Sequence, residues 1–195
     1  MNDLRIEKKF IFGKKKENDL ERLLIINGFT QLYQPRKINS IYLDTLNFDF
    51  AKDNINGVSK RKKIRFRWYD DDLTNIYLEE KNKQNFQVNK IVNKIFVHVS
   101  KKTIISVLKK YFHSPKNKFN SFNYKFILKI SYSRSYWISN NKKFRATIDH
   151  DIKINPINNL FFNLDMNETI LEFKFLQKYE TSFRDFTHKR NLQIR

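Results

Sequence analysis

The stretch Arg61-Lys62-Lys63-Ile64-Arg65-Phe66-Arg67-Trp68-Tyr69 decides the fold. A β-strand sends successive side chains to opposite faces. At that period of two, Arg61, Lys63, Arg65 and Arg67 share one face while Ile64, Phe66 and Trp68 share the other. Three more stretches repeat the pattern. Arg5-Ile6-Glu7-Lys8-Lys9-Phe10 groups Arg5, Glu7 and Lys9; Phe144 to Asp149 groups Arg145, Thr147 and Asp149; Leu171 to Phe175 pairs Glu172 with Lys174. A sheet face turned only to water carries mixed polar residues. This one is rich in Arg and Lys with a few carboxylates, which suits a surface that grips a polyanion and a metal ion.

Composition sets the limits. The 195 residues hold 39 Lys or Arg against 20 Asp or Glu, a formal charge of +19, which favours polyanionic partners: nucleic acid, polyphosphate, nucleotides or acidic lipid headgroups. An AT-rich genome would also enrich Lys, Asn and Ile. Hydrophobic residues make up 40%, with nineteen Phe and nine Tyr, enough to build a sizeable core in one domain spanning 1–195. The absence of cysteine excludes disulfides, thiolate zinc sites and cysteine nucleophiles. Residues 1–13 carry charges at Asp3, Arg5, Glu7, Lys8 and Lys9 and lack the apolar run of a secretory leader. The longest apolar runs, such as Leu23-Leu24-Ile25-Ile26, are too short to span a bilayer, so a soluble cytoplasmic protein is expected.

Along the chain, strands are expected over about Leu4–Phe12, Ile38–Asp44, Arg61–Tyr69, Asn75–Lys83, Val88–Val99, Lys125–Ser139, Lys142–Asp149 and Glu168–Leu176. Helices are expected over Lys15–Asn27, with Gly28 at the C-cap region, over Lys101–Phe112, and from about Tyr179. Leu46–Asn54 is a short helix or turn, and Asp70-Asp71-Asp72 is a solvated turn. Hairpins without regular βαβ alternation give an α+β class with a large antiparallel sheet. A charged face on so many strands argues that the sheet curls and turns it inward, lining a polar channel.

The ordered fragments Glu7-Lys8-Lys9, Ser40-Ile41-Tyr42-Leu43-Asp44-Thr45, Lys63 to Tyr69, Leu78-Glu79-Glu80-Lys81, Tyr132-Ser133-Arg134, Arg145 to Asp149 and Leu171-Glu172-Phe173-Lys174 resemble the VTC domain. That is the catalytic domain of polyphosphate polymerases, one branch of the triphosphate tunnel metalloenzymes, or CYTH-like superfamily. The resemblance implies an eight-stranded antiparallel β-barrel with a basic interior and flanking helices. It also implies transfer of the γ-phosphoryl group of ATP, or of another nucleoside triphosphate, onto inorganic polyphosphate, with Mn²⁺ or Mg²⁺. By position, Lys9, Arg65, Arg67, Lys81, Lys90, Arg134 and Arg145 match the family's phosphate-binding cations, and Glu172 its metal-binding carboxylate. Arg65, Arg67, Lys81, Arg134 and Arg145 are the catalytic set. Lys189 matches a basic residue of the C-terminal helix, although the family's Ser-Lys-Tyr-like stretch here reads Thr187-His188-Lys189-Arg190. Lys94 shares a face with Lys90 and competes for its position; Glu7 and Glu79 match carboxylates that bind a second metal or brace the cations. Membrane anchors and lipid-sensing domains accompany larger relatives, so any membrane partner is expected to be a separate chain.

Residue by residue, duller roles compete. Glu172 could serve only as the salt-bridge partner of Lys174, and Asp149 could brace Arg145 or contact metal. Tyr42 and Asp44 are expected to shape a turn and pack. The four histidines, His98, His113, His150 and His188, lack ligand spacing and are expected at the surface. Phe66, Trp68 and Phe173 fall on the opposite strand face, as core rather than base-stacking platforms, so nucleic acid is not expected as a partner. Two functions stand beside the polymerase: a triphosphatase acting on inorganic triphosphate, thiamine triphosphate or an RNA 5′ end, and a non-enzymatic module binding polyphosphate.

Overall fold

The computed structural model describes residues 4–85, 87–96, 104–114, 124–157 and 163–188. The strands are β1 Arg5–Gly13, β2 Phe29–Thr45, β3 Lys60–Tyr69, β4 Ile76–Gln84, β5 Gln87–Ile95, β6 Tyr124–Ser139, β7 Phe144–Pro156, β8 Leu164–Asp165 and β9 Glu168–Leu176. The helices are α1 Glu17–Ile26, α2 Asp49–Ile55, α3 Ile104–Phe112 and α4 Glu180–His188. The hydrogen-bonded strand order is β1-β9-β7-β6-β2-β3-β4-β5, with the two-residue β8 on β7. The class is α+β, an antiparallel sheet with four helices, as the alternation implied.

Two elements run longer than the side-chain pattern indicated. β2 begins at Phe29, nine residues before the expected strand, because ladder hydrogen bonds need backbone, not alternating side chains. Its register with β3 covers Ile38 to Leu43, so Pro35 falls outside that pairing, where a missing N–H is tolerated. β7 likewise continues past Asp149 to Pro156. The strand and helix expected over 97–99 and 101–103 lie outside the described residues.

The chain divides into two compact units. Unit 1 comprises residues 1–37, 132–153 and 165–195; unit 2 comprises 38–131 and 154–164, and β2, β6, β7 and β8 contribute to both. In unit 1, the alternate face of β9 drives the core: Leu171, Phe173 and Phe175 are buried with Phe10 of β1 and Phe144 of β7. Leu20 and Leu24 of α1 and Phe183 of α4 close over them. Phe173 meets Phe10, Phe29 and Phe183 edge-on, with centroids 6.0, 5.9 and 5.2 Å away. After α1 the backbone turns through Gly28 at φ +73°, whose N–H donates to the Ile25 carbonyl at 3.0 Å, the cap geometry that glycine favours.

Unit 2 has its own core. Ile64, Phe66 and Trp68 of β3 are buried with Ile41 and Leu43 of β2, Leu78 of β4 and Leu108 and Phe112 of α3. Phe66 stacks on Phe126 of β6 at 5.8 Å. The aromatics beside the basic residues are therefore core, as expected. Asp44, one residue before the end of β2, anchors α2: its carboxylate accepts N–H groups of Thr45, Phe50 and Ala51 at 2.8, 2.8 and 2.9 Å. The three-aspartate run is a turn. Asp72 accepts from Asn75 and from Thr74, and these bonds hold its carboxyl down at about 2.

Candidate functional site

Each unit carries one strand face where cations gather around a buried carboxylate. In unit 2 the core side of β3 forces Arg65 and Arg67 onto the other side, and antiparallel register supplies their neighbours. Arg65 lies across from Tyr42 of β2 and Glu79 of β4; Arg67 lies across from Ser40 and Tyr77. Glu79 is 5% exposed. Its Oε2 accepts from Arg65 Nε at 2.7 Å and lies 2.6 Å from Arg65 Nη2, its Oε1 accepts from Lys90 at 2.8 Å, and Arg67 Nη1 lies 3.7 Å away. Burial opposes the Glu79 charge, but Arg65 and Arg67 outweigh it and lower the pKa. Burial likewise opposes the Arg65 charge, and Tyr42 with Glu79 more than restores it.

Lys63, Lys81 and Lys90 are consecutive cross-strand partners on β3, β4 and β5, and Arg61 lies across from Lys83. Like charges directly opposite one another destabilise a sheet unless an anion lies over them. Lys81 has no ion pair among the described residues. Lys90, not Lys94, joins this group; Lys94 lies across from Tyr77, with its ammonium 5.3 Å from the Phe96 ring centroid.

In unit 1 the arrangement runs across β1, β9 and β7. Lys9, Glu172 and Thr147 are consecutive cross-strand partners, and Glu7, Lys174 and Arg145 form the adjacent row. Glu172 is 6% exposed; its Oε1 meets Lys174 at 3.0 Å and its Oε2 Lys9 at 3.8 Å. Lys174 also reaches Glu7 at 3.3 Å. Arg134 of β6 grips Asp149 with both prongs, Nε to Oδ1 at 2.5 Å and Nη2 to Oδ2 at 2.6 Å. Burial opposes the Arg134 charge, and Asp149, with help from Tyr132 and Glu172, raises its pKa well above the ordinary arginine value. Arg145 is exposed and has no ion pair among the described residues.

Two expectations change and one is met. Asp149 braces Arg134, not Arg145, and both its oxygens are engaged by that guanidinium. Tyr42 is on the cationic face rather than merely packed, because Arg65 Nη1 donates to its hydroxyl at 3.0 Å. Glu172 does pair with Lys174, while its second oxygen keeps only the long approach of Lys9. His150 pairs with Asp151 at 3.0 Å, and His113 and His188 are exposed. His98 and Lys189 lie outside the described residues.

For a divalent cation, the donor set of unit 1 fits. No group of three His, Cys, Asp or Glu able to hold a metal occurs among the described residues, so a cage of protein ligands is absent there. Mg²⁺ and Mn²⁺ do not require one: a single carboxylate with substrate oxygens and water suffices. Glu172 would supply that carboxylate. Directly across the strand, Thr147 Oγ1 is buried with no hydrogen-bond partner, an oxygen donor left over beside it.

Comparison with known proteins decides the family. The profile of the VTC domain matches residues 5–193. The chain belongs to the VTC-domain family. Solved structures share the fold of this VTC domain. A candidate adenylate cyclase from Bacillus halodurans superposes with a TM-score of 0.61 at 14% identity, covering 99% of this chain and 92% of that one. A candidate adenylate cyclase from Vibrio parahaemolyticus gives 0.54 at 12%, covering 97% and 85%. A candidate adenylyl cyclase from Hippeastrum, described as having a dominant triphosphatase activity, gives 0.58 at 11%, covering 96% and 88%. A search of curated proteins returned no match.

Sequence reasoning had not assigned Ser40 or Tyr42 to this VTC domain's charged faces, and it placed Thr147 on one without giving it a role. The signal was present as parity. Thr147 alternates with Arg145 and Asp149, and Ser40 and Tyr42 are two residues apart on β2. Only the register set them against Glu172, Arg67 and Arg65.

Proposed function

We propose that this VTC domain is a cytoplasmic, metal-dependent phosphotransferase that moves the γ-phosphoryl group of ATP onto inorganic polyphosphate. The observation that carries this reading is the cation track of unit 2. Arg61, Lys63, Arg65 and Arg67 line one face of β3 over about 20 Å at the rise of a strand, and Lys81 and Lys90 widen it across β4 and β5. A triphosphate spans well under half that length. A longer phosphate chain uses all of it.

The chemistry asks for positioning and charge neutralisation more than covalent help. Arg65 and Arg67, held by Glu79, offer planar forks to phosphate oxygens; Lys81 and Lys90 add point charges. Lys9, Arg134 and Arg145 do the same on unit 1, with Asp149 keeping the Arg134 fork in one orientation. Glu172 and Thr147 would hold a Mn²⁺ or Mg²⁺ ion, which when bound neutralises charge on phosphate oxygens. The terminal oxygen of the polyphosphate attacks the γ-phosphorus, the bond to the β–γ bridging oxygen breaks, and ADP leaves. No described helix is long and apolar enough to cross a membrane.

A second reading has its own support. The Hippeastrum protein, similar in fold, is described as a triphosphatase, and hydrolysis needs the same cations with water as the attacking group. Incubation with γ-labelled ATP and Mn²⁺, resolved on a polyacrylamide gel, separates the readings. A polymerase gives a ladder of long labelled polymer, lost in Arg65→Ala and Glu172→Ala. Free phosphate without polymer identifies a triphosphatase. Bound polyphosphate without turnover leaves a binding module.

A further inference from the structure

β2 places two hydroxyls opposite the two arginines of β3, Tyr42 across from Arg65 and Ser40 across from Arg67. The two pairs are completed differently. Tyr42 accepts from Arg65 at 3.0 Å. Ser40 Oγ and Arg67 Nε are both buried, and neither has a hydrogen-bond partner. Ser40 is 1% exposed and the Arg67 side chain 12%. The nearest carboxylate does not saturate Arg67. Glu79 spends its short bonds on Arg65 and Lys90 and stays 3.7 Å from Arg67 Nη1.

A buried N–H and a buried hydroxyl left open on facing residues of one strand pair call for a shared partner. That partner must accept from Arg67 Nε–H and from Ser40 O–H. It must also sit next to Arg65, on a strand face that continues to Lys63 and Lys81 and whose field favours negative charge. An anionic oxygen meets both conditions.

We propose that Ser40 Oγ and Arg67 Nε form one subsite for a single phosphate oxygen. Ser40 donates its hydroxyl hydrogen and Arg67 its Nε–H. The subsite rests on the phosphate-binding reading of the β3 face and adds to it a fixed position. The lysines attract phosphate without direction, whereas a buried serine bond holds one oxygen in one place and so sets the register of the phosphate chain along β3.

Titration calorimetry with sodium tripolyphosphate in metal-free buffer tests this, on the wild-type protein and on Ser40→Ala, Arg67→Lys and Arg65→Ala. Ser40→Ala is expected to weaken binding tenfold or more, about 1.4 kcal/mol, while the melting temperature without ligand holds or rises because an open hydroxyl is gone. Arg67→Lys keeps the charge but removes the Nε–H, and is expected to lose a similar factor. It also serves if Ser40→Ala does not fold. In the double variant the losses should not add. A lower melting temperature with unchanged affinity in Ser40→Ala would mean that the hydroxyl holds a buried water, and would overturn the subsite. Unchanged affinity in Ser40→Ala alongside lost binding in Arg65→Ala would overturn it too and leave the phosphate reading standing. A wild-type protein that does not bind tripolyphosphate would overturn both.

Discussion

Glu79→Gln is the sharpest test of how the cationic face of unit 2 is held together. The wild-type carboxylate takes a hydrogen bond and a second close ion-pair contact from Arg65 on Oε2 and a hydrogen bond from Lys90 on Oε1, with Arg67 at 3.7 Å. Glutamine keeps one acceptor and turns an N–H₂ donor toward cations. Removing one member of a buried ion pair costs about 3–5 kcal/mol because the other charge stays buried. The Lys90 side chain is 44% exposed, so that arm contributes at the low, solvent-screened end, roughly 0.5 kcal/mol. Arg65 at 22% is partly relieved by water as well. A net loss of about 3 kcal/mol follows, which lowers the melting temperature by roughly 6–12 °C for a chain of this size. Differential scanning calorimetry reads this directly. The same reasoning makes a second demand. With its internal counter-charge gone, the face should gain more from an external one, so saturating tripolyphosphate should raise the melting temperature of Glu79→Gln by more than that of the wild type. An unchanged melting temperature without ligand, or a smaller ligand-induced rise in the variant, would refute the idea that Glu79 organises these cations.

Other outcomes follow from the same geometry. The folded-state pKa of Glu79 is lowered from 4.5, so its stabilisation is complete above that value and is lost as pH falls through the folded value. Melting curves of wild type and Glu79→Gln should therefore draw together as the pH falls below 4.5, and a gap that stays constant down to about pH 3 would contradict this assignment. Asp149→Asn strips Arg134 of a two-pronged partner in a buried setting; a loss of about 3 kcal/mol is expected by urea denaturation, and a neutral result would show that the pair is not anchored there. Phe173→Ala removes a fully buried ring that touches Phe10, Phe29 and Phe183. It should cost about 3–5 kcal/mol, and a loss under 1 kcal/mol would mean the core of unit 1 collapses into the space.

The alternation of charge and apolar residues was legible in the sequence because it is local. A strand's two faces are decided by adjacent residues, and Arg65 with Phe66 or Glu172 with Phe173 states which side meets the core. The same local chemistry made Gly28 visible as a helix terminus. β2 was harder, since Phe29 to Lys37 joins the sheet through backbone bonds while most of its side chains stay exposed and without pattern. The partner of Asp149 was also hidden. Arg145, four residues away on the same strand face, was the neighbour the sequence displayed, whereas Arg134 reaches it from another strand.

By itself, then, the sequence determined the class of fold, the identity of the core aromatics and the basic character of the opposite strand faces. Each follows from residue type and period, which need no knowledge of distant residues. Only the tertiary structure decided which charge meets which. Antiparallel register set Tyr42 against Arg65, Ser40 against Arg67 and Thr147 against Glu172. A slip of one residue would have turned every one of those side chains to the opposite face, and register is selected by the packing of whole faces rather than by any residue within them.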